Sequence, residues 1–152
     1  MAFPSSQSTQ ASLDDALKTV TAYAGAIKQR SQALINDSAN GPVDGARIIN
    51  YLRDLTVAKT KLAERANTPG LIPYAQAQYN SPTLDIVVEY NTMITAINGT
   101  ITWLVNNFPK DATGYLLYEQ LNADGTISYR SFTTAQLASL RTQLTSLVTT
   151  IA

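Results

Sequence analysis

The chain has 152 residues, a length that suits one domain and one hydrophobic core. Its 11 Lys and Arg balance 11 Asp and Glu at a charged fraction of only 14%, against about 25% in an ordinary soluble chain. There is no His and no Cys, which excludes His-dependent triads, thiol nucleophiles, disulfides and zinc sites built on those residues. The missing charge is replaced by neutral polar side chains: Thr alone occurs 19 times.

The opening Met1-Ala-Phe-Pro-Ser-Ser-Gln-Ser-Thr-Gln10 has neither a basic stretch nor an apolar run. It reads as a flexible arm over 1–11 and not as a secretory signal. The first helix is expected from Ser12, an N-cap residue type, with Asp15 three positions on. Leu13, Leu17, Val20, Ala24, Ile27 and Leu34 recur at steps of three and four, with Ser31 the one polar member of the series. Asn40-Gly-Pro42 ends it. A second stripe, Ile48, Leu52, Leu55, Leu62 and Ala66, follows Asp44 as its cap and is interrupted by Lys59.

Residues 71–80 form an expected linker of at most two helical turns across one end of a bundle. Ser81-Pro82 then supplies a start signal. The third helix is expected over 82–107, roughly 39 Å long at 1.5 Å per residue, as the longest and central element. Beyond Asp111-Ala-Thr-Gly114 the period changes to that of strands, and Asn122-Ala-Asp-Gly125 between Tyr- and Ile-containing runs predicts a β-hairpin over 115–132. Thr133 with Gln136 forms a capping-box pattern for the last helix, whose Leu137, Leu140, Leu144, Leu147 and Ile151 make a nearly unbroken stripe. The expected fold is mainly α: an antiparallel bundle of about four helices in one domain over 12–152, with the hairpin inserted before the last helix.

Candidate sites are few. Placing Gly125 at the sixth position of a calcium loop puts Gln120 and Ser131 where the first and last carboxylates should stand, so calcium is not expected. Asp85 with Glu89, and Asp14 with Asp15, sit near helix starts, where the helix dipole favours acids without any catalytic role. No phosphate-cradling loop is present. No catalytic residue, cofactor or metal is therefore expected. The longest strongly apolar runs, such as Ile101-Thr-Trp-Leu-Val105, hold about five residues against the roughly 20 needed to cross a bilayer, and Lys and Arg form no cluster that would neutralise phosphates. Neither a membrane nor a nucleic acid is an expected partner, nor is a small-molecule substrate.

Two features point to protein contacts. Tyr115, Tyr118, Tyr129 and Phe132 gather in the hairpin, and Phe3 lies in the arm; these five are the candidate interaction residues. Trp103 reads as core. The third and fourth predicted helices carry a neutral polar surface: Asn91, Thr92, Thr95, Asn98, Thr100, Thr102, Asn106 and Asn107 on one, and Gln136, Ser139, Thr142, Gln143, Thr145, Ser146, Thr149 and Thr150 on the other. The charges associated with them are Asp85, Glu89 and Arg141. Surfaces of this kind favour association.

With its polar arm over 1–10, helices rich in Thr, Asn and Gln, a hairpin around Asn122 to Gly125 and no His or Cys, the chain resembles the small accessory structural proteins of tailed-phage virions. It is most similar to the helical subunits that form rings in the neck, the head–tail connector. The even charge balance departs from the acidic lining usual in such rings. The resemblance implies a non-enzymatic, homo-oligomeric assembly subunit located in the virion, whose partners are its own copies and neighbouring virion structural proteins. The alternative is a small helical binding module or inhibitor that meets one partner through the hairpin aromatics.

Overall fold

The computed structural model describes residues 9–41, 43, 45–108, 119–129 and 132–151. Helix α1 (Gln10–Asn40) begins three residues before the expected start, because Thr9 is its cap: the Ser12 amide donates to the Thr9 hydroxyl at 3.1 Å. Both Thr9 and Ser12 are good cap residues, and the earlier one wins, so Gln10 and Ala11 belong to the helix. At 31 residues α1 is the longest helix, about 46 Å. It buries Leu17, Val20, Ile27, Ser31 and Leu34, most of the predicted stripe with its polar member included, while Leu13 and Ala24 are half-buried.

Helix α2 (Gly45–Ala66) buries Ile48, Tyr51, Leu55, Ala58 and Leu62. The buried stripe is one residue out of register with the predicted one at two steps, Tyr51 for Leu52 and Ala58 for Lys59, and is uninterrupted. Lys59 is half-buried and donates to Asn98 Oδ1 at 2.8 Å. The segment expected as linker is a helix in its own right, α3 (Leu71–Gln78). Its Pro73 lies in the first turn, where an amide would have no helical acceptor in any case. Gly70 enters α3 at φ 79°, and Asn80, at φ 50°, turns the chain out of it while Ser81 N–H donates to the Gln76 carbonyl at 2.9 Å.

Helix α4 (Ile86–Asn107) starts four residues later than expected. Asp85, not Ser81, is its cap, accepting from the amides of Val87 and Val88 at 3.1 and 3.2 Å. Helix α5 (Thr134–Ile151) has the predicted capping box: Gln136 N–H donates to the Thr133 hydroxyl at 3.1 Å and Thr133 N–H to Gln136 Oε1 at 2.9 Å. Leu137, Leu140, Leu144 and Leu147 are buried.

The expectation of four helices with a hairpin over 115–132 is corrected. Five helices carry the described fold, and among the described residues no β-hairpin of the expected extent is seen. Extended pairing among the described residues is limited to three positions on each side, Glu119–Leu121 against Ile127–Tyr129, with Gln120 opposite Ser128. A lone pair of strands is marginal without a third strand or a packed face. The turn is also closed from within: Thr126 donates its amide and its hydroxyl to Asp124, at 3.0 and 2.6 Å, and Gly125 takes φ 86°. These bonds hold Asp124 below the usual carboxylate range, the Thr126 hydroxyl contributing most.

The helices form a four-cornered bundle with α3 across one end. α1 packs on α2 and α5, and α4 packs on the same two from the opposite corner. Arg30 pairs with Asp54 and Arg47 with Asp37, and Arg141 donates to the Ser38 carbonyl at 2.7 Å; these contacts run α2 and α5 antiparallel to α1. α4 is thus a corner helix, not the central one. Seven of the side chains on the bundle axis, Leu34, Leu55, Leu62, Ile97, Leu104, Leu140 and Leu144, are wholly inaccessible. At about 25 cal/mol per Å² of apolar area, this shared axis is the main force holding the corners together.

Candidate functional site

A corner helix must leave one side to solvent, and the sides left by α4 and α5 are the neutral ones. Asn91, Thr92, Thr95, Asn98, Thr102, Asn106 and Asn107 are exposed on α4, and Ser139, Thr142, Thr145, Ser146, Thr149 and Thr150 on α5. Thr100 departs from the expectation: it is buried, donating to the Ala96 carbonyl and accepting from Gln143 at 3.3 Å across the α4–α5 seam.

Five of the seven exposed threonines on these sides do not spend their hydroxyl protons on solvent, Thr95 and Thr102 being the exceptions. Thr92 donates to the Val88 carbonyl, Thr142 to Ala138, Thr145 to Arg141, Thr149 to Thr145 and Thr150 to Ser146, all at 2.7 to 3.2 Å. This is the i to i−4 back-bond open to Thr in a helix. Outward, such residues offer a methyl group and a lone pair in place of a donor. Val88, 58% exposed, adds an aliphatic side chain, and a hollow of about 500 Å³ lies among Val88, Thr92, Thr95, Ala96 and Thr150.

Two of the three charges associated with these helices have local duties. Asp85 caps α4, and Arg141 places its guanidinium on a carbonyl of the last turn of α1, where the helix dipole is negative. Glu89 remains. It stands in the first turn of α4 at the edge of a second, deeper cleft between α1, α4 and the end of α5, which also includes Tyr79 and Tyr90.

Of the candidate interaction residues, Phe3, Tyr115 and Tyr118 lie outside the described residues. Tyr129 is placed in the short ladder opposite Glu119. Phe132 is buried, its ring edge-on to Phe108 at 4.4 Å between centroids, and Phe108 meets Trp103 in the same manner at 5.7 Å. Phe132 and Trp103 thus join one aromatic seam beneath α4, and such pairs are worth about 0.5–1.5 kcal/mol beyond burial. Of the two acidic pairs, every member but Glu89 has a structural partner. Asp14 receives the Tyr74 hydroxyl, which raises the Tyr74 pKa, and Asp15 pairs with Arg65 at 3.0 Å, so both tie α1 to its neighbours. They lie beyond the first turn of α1, and tertiary contacts explain them better than the dipole does.

Residues that the pattern did not single out include Tyr51, Tyr79 and Tyr90. Tyr51 is buried and shares a 2.5 Å hydrogen bond with buried Ser31; burial pushes its phenol pKa well up, beyond what the Ser31 bond takes back. The one available signal was Ser31 itself, a polar residue on an apolar stripe that demanded a partner.

Among the described residues, no group of three or more acidic side chains is placed to hold a metal ion, and no helix is long and apolar enough to cross a membrane. Comparison of the chain with protein-family models, curated proteins and solved structures finds no match.

Proposed function

We propose that this protein is a non-enzymatic assembly subunit that joins copies of itself through the outward face of α4 and α5. The observation that carries the reading is the chemistry of that face. Burying an interface usually costs the desolvation of charges and donors. Here the hydroxyl protons of Thr92, Thr142, Thr145, Thr149 and Thr150 are already engaged in their own helices, Arg141 is held on α1, and methyl groups and Val88 are presented instead. Little has to be given up when a second such face covers the first.

The resemblance to neck subunits of tailed phages extends the proposal to a place: a ring component of the head–tail connector in the virion, in contact with its own copies and with adjoining structural proteins. A binding module acting through the hairpin aromatics is less well supported, because Phe132 is spent on the chain's own core.

Sedimentation velocity over a concentration series tests the proposal. The natural chain should shift to faster species as concentration rises, and Thr95→Lys, which sets a charge in the middle of the exposed face, should remain monomeric at the same concentrations. A natural chain that stays monomeric to its solubility limit, or a Thr95→Lys variant that associates equally well, would overturn it.

A further inference from the structure

The cleft beside Glu89 has a volume of about 530 Å³, within the range of small-molecule sites. Val20 and Ile86, both buried, and Met93 give it an apolar floor. On α1 its wall is Ala24 and Gly25, and a Cβ built on Gly25 meets no heavy atom within 4 Å. Glycine is a poor residue for a helix interior, and here nothing packs against it, so the position keeps space open instead of making a close contact.

Polar groups meet at one side of this space. Tyr90 is only 3% exposed, and its hydroxyl makes no hydrogen bond to any described residue. Tyr79, 53% exposed, and Glu89 line the same cleft, and both act electrostatically on Tyr90. Among the described residues no Lys or Arg lines the cleft. With burial as the main cause, the Tyr90 phenol is pushed up to about 12 and stays neutral in ordinary buffers.

We propose that this cleft binds a small organic ammonium ion carried on an apolar body, the ammonium meeting Glu89 and the Tyr90 hydroxyl oxygen and the hydrocarbon lying on Val20, Ile86 and Met93. Each part follows from the lining. A carboxylate with no protein cation in the cleft attracts a cation and repels an anion. The phenol oxygen accepts a hydrogen bond that no described residue supplies, and tyrosine rings attract ammonium groups through their faces. The apolar floor favours an alkyl chain over a bare ion. The site lies within one chain and is independent of self-association.

The test uses three probes of equal length on the full chain: hexylammonium, hexan-1-ol and hexanoate. Met93 is one of only two methionines, the other being Met1, so its ¹³C-labelled methyl signal is readily assigned and reports from the cleft floor. Hexylammonium should shift it saturably at concentrations at least about tenfold lower than hexan-1-ol, and hexanoate should give no saturable shift. Glu89→Gln, on the surface, should bring ammonium and alcohol to similar affinity while leaving the alcohol unchanged. Gly25→Leu should fill the cleft and abolish the response to hexylammonium and hexan-1-ol with helical content retained. Hexanoate binding as tightly as hexylammonium, an ammonium preference that survives Glu89→Gln, or no saturable Met93 shift with hexylammonium would each overturn the proposal.

Discussion

Removing the Tyr51 hydroxyl should cost more than removing both hydroxyls of its pair. Ser31 is wholly inaccessible, Tyr51 is 3% exposed, and the two share a 2.5 Å hydrogen bond across the α1–α2 seam. Tyr51→Phe leaves the Ser31 hydroxyl buried with its cross-helix partner gone, and Ser31→Ala strands the Tyr51 phenol. Each should destabilise by about 1–3 kcal/mol, the penalty for a buried polar group left unpaired. In the double variant neither polar group remains and the shapes are nearly kept, so its stability should return to within about 1 kcal/mol of the natural chain. At about 2 kcal/mol for each single variant, a coupling of about 3 kcal/mol then follows from the cycle. For a domain of this size each single variant should melt about 4–8 °C low at a loss of 2 kcal/mol. Urea unfolding followed by the fluorescence of Trp103, the one tryptophan, measures all four proteins. If the double variant is destabilised by the sum of the two singles, the pair is not coupled and the reasoning fails.

Leu144, wholly inaccessible on α5, should cost about 2–5 kcal/mol on replacement by Ala; a loss below about 0.5 kcal/mol in the same urea assay would place it outside the core. Alkaline stability should depend on Tyr90, whose folded pKa of about 12 lies above its ordinary value of 10.0. The neutral phenol is favoured by the folded state, so its contribution is complete below pH 10.0 and lost as pH rises toward about 12. Unfolding titrations across that window should show a shallower decline in Tyr90→Phe than in the natural chain, and identical slopes would contradict the assignment.

How much could be read in the sequence varied with how local the cause was. The start and stripe of α5 were readable because a capping box and four leucines at helical spacing depend only on neighbours a few residues apart. The start of α1 was not, since Thr9 and Ser12 compete for one role and only the backbone decides between them. In α2 hydrophobic spacing alone points to Leu52, whereas the seam buries Tyr51, whose hydroxyl satisfies Ser31. α3 was legible only as a linker of at most two helical turns, because Pro73 is a helix breaker anywhere but in the first turn, where it stands. The hairpin signal was a true turn signal: Asp124, Gly125 and Thr126 do close a turn, and among the described residues its flanks pair over three positions on each side. The cleft was beyond any local pattern, because Val20, Tyr79, Glu89 and Ile151 come from four separate parts of the chain, and Gly25 in mid-helix was its one trace. The neutral face of α4 and α5 was visible as composition, but the back-bonded hydroxyls that make it cheap to bury are a matter of geometry.

The face itself is tested most directly by paramagnetic relaxation between copies. The natural chain has no cysteine, so Asn106→Cys at the edge of the α4 surface gives a single attachment point for a nitroxide label. Mixed with ¹⁵N-labelled natural chain near the solubility limit, the labelled copy should broaden amides of Asn91, Thr95, Asn98, Thr142 and Thr149 and leave those on the outward side of α2, around Val57, unaffected. Broadening centred on α2, or none at any concentration, would contradict association through α4 and α5.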